Sequence, residues 1–299
     1  MKKRILSILL TLALSLGLLA LAPITAHAAG PVAPNPSTTW VFNGVDADGS
    51  GNYNGGSWSW DNATKTLTLT NINYTTSAAR ALQFYNPDGV VTLELNGANT
   101  ITSTFDSGGS YNGGIYSYDL TITGSGSLNV TGCSDYGISA SHLTIVDGAT
   151  VAATGTAWGF SCAQFTITGG TATATGTGGT GIHSDSDFTV SGGTVTAIGN
   201  TRAIYADYSD YTVPSGLLYW VNTTTAAPGG EGTLSNGSFV INGTHKYAKL
   251  TPSAGGGGTD PVDDSAYFKL WGKTTTYLKS NFWNWILLIF CFGWIWMAF

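Results

Sequence analysis

A block of about twenty-two residues recurs along the middle of this 299-residue chain, and it constrains the fold more than any single residue does. Leu120-Thr-Ile122, Leu143-Thr-Ile145, Phe165-Thr-Ile167 and Phe188-Thr-Val190 follow one another at steps of 23, 22 and 23 residues. A second register keeps pace with it through Gly114-Ile115, Gly137-Ile138, Gly159-Phe160, Gly181-Ile182 and Ala203-Ile204. A third runs through Gly126-Ser-Leu-Asn-Val, Gly148-Ala-Thr-Val-Ala, Gly170-Thr-Ala-Thr-Ala and Gly193-Thr-Val-Thr-Ala. Within each unit apolar and hydroxylic residues alternate, and Gly, Ser or Asp separate the runs, which is the pattern of strands and turns. A unit this short cannot bury its own apolar face, so copies must stack with equivalent strands parallel and about 4.8 Å apart.

The expected fold is all-β, a right-handed parallel β-helix with one coil per repeat. Leu120, Leu143, Phe165 and Phe188 should form one internal ladder, and Ile122, Ile145, Ile167 and Val190 another, with Thr121, Thr144, Thr166 and Thr189 facing out. A leucine-rich-repeat horseshoe has the same period but needs Leu-x-x-Leu-x-Leu and an Asn or Cys ladder, which this chain lacks. Upstream, Leu67-Thr-Leu69 and Leu93-Glu-Leu95 stand 26 and 27 residues from their neighbours and predict looser coils. Downstream, Tyr219-Trp220 and Phe239-Val-Ile241 break the period, as the irregular ends that cap a solenoid must.

The flanks differ in kind. Residues 1–28 read as a signal peptide: Lys2-Lys3-Arg4, an apolar run from Ile5 to Leu21, then Ala26-His27-Ala28 as a cleavage site. Residues 29–38 read as a Pro-rich linker, 39–252 as the β-helix with its caps, and 253–266 as a second linker carrying Gly255-Gly-Gly-Gly258 and Asp260-Pro-Val-Asp-Asp264. The last stretch, 267–299, begins basic and aromatic and carries no charge from Phe282 to Phe299. As a helix those eighteen residues span about 27 Å, near the thickness of a hydrocarbon core. Trp283 and Trp285 at one end and Trp294 and Trp296 at the other match an aromatic belt. Lys269, Lys273 and Lys279 all precede the segment, which reverses the usual charge bias if the solenoid lies outside. Spanning, interfacial and processed fates therefore stay open. The expected location is exported, at the cell surface or held to the outer face of a membrane.

Without the first 28 residues the chain keeps eight Lys and Arg against 17 Asp and Glu, a net charge of −9, which argues against nucleic acid as a partner. Of the three Cys, Cys133 and Cys162 fall in different columns of the repeat and read as separate thiols. The repeat does not set an oligomeric state.

Several runs resemble a known group. Gly56-Ser-Trp-Ser-Trp60-Asp-Asn-Ala-Thr-Lys-Thr-Leu-Thr-Leu69, Leu95-Asn-Gly-Ala-Asn-Thr-Ile101, Gly124-Ser-Gly-Ser-Leu-Asn-Val130 and Ser191-Gly-Gly-Thr-Val-Thr-Ala197 look like segments of secreted bacterial carbohydrate-binding domain-containing proteins. The closing Tyr219-Trp220 and His245-Lys-Tyr-Ala-Lys-Leu250 are similar to that group's end segment. The resemblance covers roughly Thr39 to Leu250 and implies a right-handed β-helix like that of polysaccharide lyases, with polysaccharide binding, sometimes calcium-assisted. Its motifs are fold-forming, so no functional residue carries over from it.

Aligned coils put Gly113, Tyr136, Trp158, Thr180 and Arg202 in one column, and Tyr116, Ser139, Ser161, His183 and Tyr205 in another nearby. Flat aromatic faces bury sugar C–H surface and leave hydroxyls free to hydrogen bond. The candidate polysaccharide-binding residues are therefore Tyr136, Trp158, Arg202 and Tyr205, with Tyr136 and Trp158 as adjacent platforms. Asp185, Asp187, Asp207 and Asp210 cluster in consecutive coils, and several carboxylates together suit Ca²⁺, although turns favour Asp for their own reasons. Asp46-Ala-Asp48-Gly-Ser50-Gly-Asn52 matches the first half of an EF-hand loop, but Ser57 stands where the bidentate Glu belongs. Catalysis has little support: no catalytic residue is assigned. A polysaccharide lyase using Arg202 as base beside Asp185 and Asp207, a glycoside hydrolase using those two carboxylates, and a passive adhesin or stalk remain the alternatives.

Overall fold

A computed structural model of the chain describes residues 30–253, except 44–45, 86–88, 107–111 and 133. The expected signal peptide, the linker beyond residue 253 and the C-terminal membrane segment lie outside the described residues. No helix occurs among those described; the chain is a β-solenoid of about six coils, each crossing three faces.

The first face stacks Trp40–Asn43, Arg80–Tyr85, Gly113–Tyr116, the leading halves of Tyr136–Ile145 and Trp158–Ile167, then Thr180–Ser184 and Arg202–Ala206. The second stacks Thr66–Thr70, Val90–Asn96, Asp119–Gly124, the trailing halves of the same two long strands, and Phe188–Val190. The third stacks Asn73–Thr76, Ala98–Ser103, Ser127–Gly132, Thr150–Gly155, Thr171–Gly176 and Thr194–Gly199. All these neighbours pair in parallel. Strands form here because the residues alternate strictly: in Thr171–Gly176 each Thr is half-buried while Ala172, Ala174 and Gly176 are buried.

The ladders take the expected register. Leu120, Leu143, Phe165 and Phe188 align, as do Ile122, Ile145, Ile167 and Val190, with the threonine row between them. Upstream the threonine row continues through Thr92 to Thr66. There the pairing differs from the sequence spacing by two residues: Leu93 lies beside Ile122, while Leu120 takes Val91 as its neighbour. A shift of two keeps every side chain on its own face, so the core is unaffected. Inside, Phe165 stacks on Phe188 at 5.2 Å between ring centroids. Burying one such side chain stabilises the fold by about 1.5–3 kcal/mol.

Both ends of the core are closed. At the start, the antiparallel hairpin of Gly49–Tyr53 and Gly56–Asp61 extends the second face. Trp40, Phe42, Trp58 and Trp60 pack there with ring centroids 5.1–5.9 Å apart. Residues 30–38, read from sequence as a linker, lie against the first coil instead. The Tyr74 hydroxyl sits 2.9 Å from the Asn35 carbonyl and 2.7 Å from that of Thr38, and the Trp40 indole N–H donates to the Val32 carbonyl at 3.1 Å. At the far end Tyr247–Pro252 pairs antiparallel with the last strand of the third face, and Leu217–Asn222 pairs with it in turn.

The first and third faces meet at a corner with room for little but backbone. A Cβ on Gly159 would stand 2.3 Å from the Thr175 nitrogen and 2.6 Å from the Ala174 carbonyl carbon. One on Gly137 would stand 2.8 Å from the Ala153 Cβ. Gly159→Ala is therefore expected to cost about 1–3 kcal/mol through overpacking, whereas Thr166→Ala on the outer row should stay within about 0.5 kcal/mol. Urea unfolding of the two variants checks this, and equal midpoints would contradict the packing.

Candidate functional site

The corner that excludes a Cβ also aims the residue beside it. A Cβ on Gly155 would stand 2.2 Å from the Trp158 carbonyl oxygen and 2.6 Å from the Gly137 nitrogen, so the chain turns there without a side chain of its own. Residue 158 is the first of its strand after that turn, and the corresponding positions in the coils on either side are Tyr136 and Thr180, followed by Arg202. The expected column exists.

Its members do not share one environment. Trp158 is half-buried and lies over the next strand, its ring 5.6 Å from that of His183 at an interplanar angle of 41°. His183 stacks in turn on Tyr205, 5.2 Å away and inclined by 26°. The Arg202 guanidinium sits 4.7 Å from the Tyr205 ring centre, a cation–π contact, with a nitrogen 3.5 Å from Asp210. Trp158, Tyr205 and Arg202, three of the four candidates, thus belong to one strip of touching side chains on the outer side of the first face.

Tyr136 is the exception. It is 1% exposed and lies outside the apolar core cluster; its ring covers Gly113, where a Cβ would meet it at 2.5 Å. Its hydroxyl hydrogen bonds with Arg80, and burial holds its phenol above the usual tyrosine range. A ring packed in this way has no face to offer a sugar, so the adjacent platform with Trp158 is not formed. The reason is local: the glycine in the preceding coil leaves a recess, and the tyrosine fills it.

His183 completes the strip in its place. The sequence places it in the neighbouring column but not among the binding candidates, because a lone His in a polar strand has no ring signature of its own. Its stacking could have been found by noting that Ser161, His183 and Tyr205 are consecutive in that column. The His183 side chain is 23% exposed and stands 3.6 Å from Asp185. Burial lowers its pKa below the ordinary 6.5, with Arg202 acting in the same direction and Asp185 opposing. The neutral imidazole is thus the form that fits between Trp158 and Tyr205.

The four aspartates do not converge. Asp187 accepts from the Gln164 amide at 3.0 Å, Asp210 pairs with Arg202, and Asp185 faces His183. Asp207 sits in a left-handed turn with φ of 50°. Among the described residues no three Asp, Glu, His or Cys side chains gather as a metal site would require. The EF-hand-like run is also used otherwise. Asp46 accepts the Asn43 N–H at 2.7 Å, Asp48 accepts the Asn62 N–H at 2.8 Å, and Gly49–Tyr53 is a strand. Cys162 is buried, which pushes its thiol up to about 12, and His142 pairs with Asp119 away from the strip.

An open depression of about 340 Å³ lies elsewhere, on the second face, where Ser57, Ser59, Thr68 and Thr70 line it beside the buried Trp58. It holds no exposed ring, and the aromatic strip has the better chemistry for a sugar face.

Lowering the pH should expose the cost of seating His183. A group with a depressed folded pKa contributes stability that is complete above its unfolded value of 6.5 and is lost as the pH falls toward the folded value. The thermal midpoint should therefore drop as the pH falls below the unfolded value by more in the native chain than in His183→Gln. Parallel pH profiles would contradict this seating.

A family model described as "Carbohydrate-binding domain-containing protein" matches residues 43–254. Neither a curated protein nor a solved structure matches the chain.

Proposed function

The chain belongs to the carbohydrate-binding domain-containing proteins, and from that premise we propose that it binds polysaccharide through Trp158, His183, Tyr205 and Arg202 without cleaving it. The observation that carries this is the unbroken ring contact from Trp158 through His183 to Tyr205 across three consecutive coils. Sugar C–H faces stack on such rings while ring hydroxyls reach Ser139 and Ser161 in the same outer column. Side chains packed against one another on rigid strands lose little freedom on binding, which favours affinity.

Binding without catalysis is favoured because the charged groups are committed to each other. Arg202, the base that a lyase would need, is held by Asp210 and the Tyr205 ring, and Asp185 faces His183. The coils are read as right-handed, the hand that parallel crossovers take. The protein is placed outside the cell by its signal-like residues 1–28 and held there by residues 267–299, the reading that suits a polysaccharide ligand best.

A glycan array and pull-downs with insoluble polysaccharides test the function, alongside assays for reducing ends and unsaturated products. Trp158→Ala should weaken binding by roughly tenfold, as expected for losing about 1.4 kcal/mol of stacking and burial, while Thr166→Ala on the second face leaves it unchanged. Absence of binding to any glycan would overturn the proposal, and product release lost in Arg202→Ala would replace it with a lyase.

A further inference from the structure

A second group of rings lies at the opposite end of the first face, Tyr85 and Tyr116 on its strands and Tyr118 in the turn that follows. Tyr85 and Tyr118 are 50% and 36% exposed, with centroids 6.5 Å apart, and Tyr116 lies 6.3 Å from Tyr118. The Arg80 guanidinium sits 4.1 Å from the Tyr116 ring centre. The chemistry is that of the strip already described, an arginine lying over a tyrosine, and Arg80 and Arg202 are the only arginines among the described residues.

The two ends are in register. Tyr116, Ser139, Ser161, His183 and Tyr205 form one continuous outer column. Four strand steps separate its ends, about 19 Å at about 4.8 Å per step. Between the rings the surface is low and uncharged: Ser139 and Ser161 lie in the column, and Ser141 and Ala163 beside them. A sugar ring in an extended chain advances by nearly the same distance as one strand step. A linear glycan lying along the solenoid axis can therefore set one sugar over each coil, stacked at both ends and hydrogen bonded in the middle.

We infer that Tyr85, Tyr116 and Tyr118 form a second sugar subsite on the first face, and that one linear, uncharged polysaccharide chain runs from it across Ser139 and Ser161 to Tyr205. This rests on the binding role proposed above for Trp158, His183 and Tyr205. The ligand is uncharged because neither arginine is set to receive a carboxylate. Arg202 is paired with Asp210, and Arg80 donates to the Gln83 side chain at 3.2 Å and hydrogen bonds with Tyr136. The net charge of −6 also opposes an anionic polymer. A ligand held this way is gripped within its length, not at its end.

The experiment is calorimetric titration of the full chain with cello-, chito-, xylo- and β-1,3-gluco-oligosaccharides of two to six sugars, with oligogalacturonate as the anionic probe. In the series that binds, affinity should rise by at least about tenfold from the disaccharide to the pentasaccharide and then level off. The double variant Tyr85→Ala/Tyr118→Ala, both exposed positions, should lose about tenfold for the pentasaccharide and keep native affinity for the disaccharide. A matching thermal midpoint shows that the variant is folded, and Tyr118→Phe should restore most of the loss. Length-independent affinity, or a double variant that binds the pentasaccharide as the native chain does, overturns the second subsite and leaves the first intact. Stronger binding of oligogalacturonate overturns the uncharged ligand. Failure of every saccharide to bind the native chain overturns the underlying function instead.

Discussion

Close approach of backbones at the corner between the first and third faces is the constraint on which the remainder of this structure depends. In three successive coils the chain passes from the third face to the first through a pair of glycines, Gly132 and Gly137, Gly155 and Gly159, and Gly176 and Gly181, and a Cβ on any of them would run into main-chain atoms. There the backbones approach closely enough for the inner ladders of Leu, Ile and Phe to stack without gaps. The corner also decides where residue 158 begins its strand, and so where the one tryptophan of the first face's outer side is presented. Fold and site share one cause.

The site itself follows from a small number of departures from uniformity. Most outer positions repeat a hydroxyl, as along Thr66, Thr92, Thr121, Thr144, Thr166 and Thr189. Such a row is solvated and undemanding. On the first face the same kind of column instead holds rings at its ends and serines in its middle. The rings brace one another, His183 between Trp158 and Tyr205, and the arginines brace the tyrosines. Rigid aromatic surface next to outward-facing serines is what a polyol with one apolar face requires.

The columns of the solenoid were legible in the sequence because the period is itself the physical repeat, and residues 22 or 23 apart become neighbours. What a column does not state is depth. Tyr136 and Trp158 occupy equivalent positions, yet one fills the recess left by Gly113 and the other lies out over His183. That difference comes from the coil before, where a single glycine replaces a side chain. The looser coils were harder for a related reason: pairing Leu93 with Ile122 needs the length of the intervening insertion, which periodicity does not supply. Tyr85 and Tyr118 fall outside the columns followed in the sequence, so their meeting became visible only in three dimensions. The aspartates recur in consecutive coils as the period states, but in the fold each has a hydrogen-bond partner or turn of its own to serve.

Assignment of the backbone amides by NMR, followed by addition of a linear oligosaccharide that binds, tests the central claim most directly. Shifts concentrated at Tyr116, Ser139, Ser161, His183 and Tyr205, with the second and third faces unmoved, are the predicted result. Shifts confined to the threonine rows of those other faces, or to the hydroxyl-lined depression around Ser57 and Thr70, would contradict it.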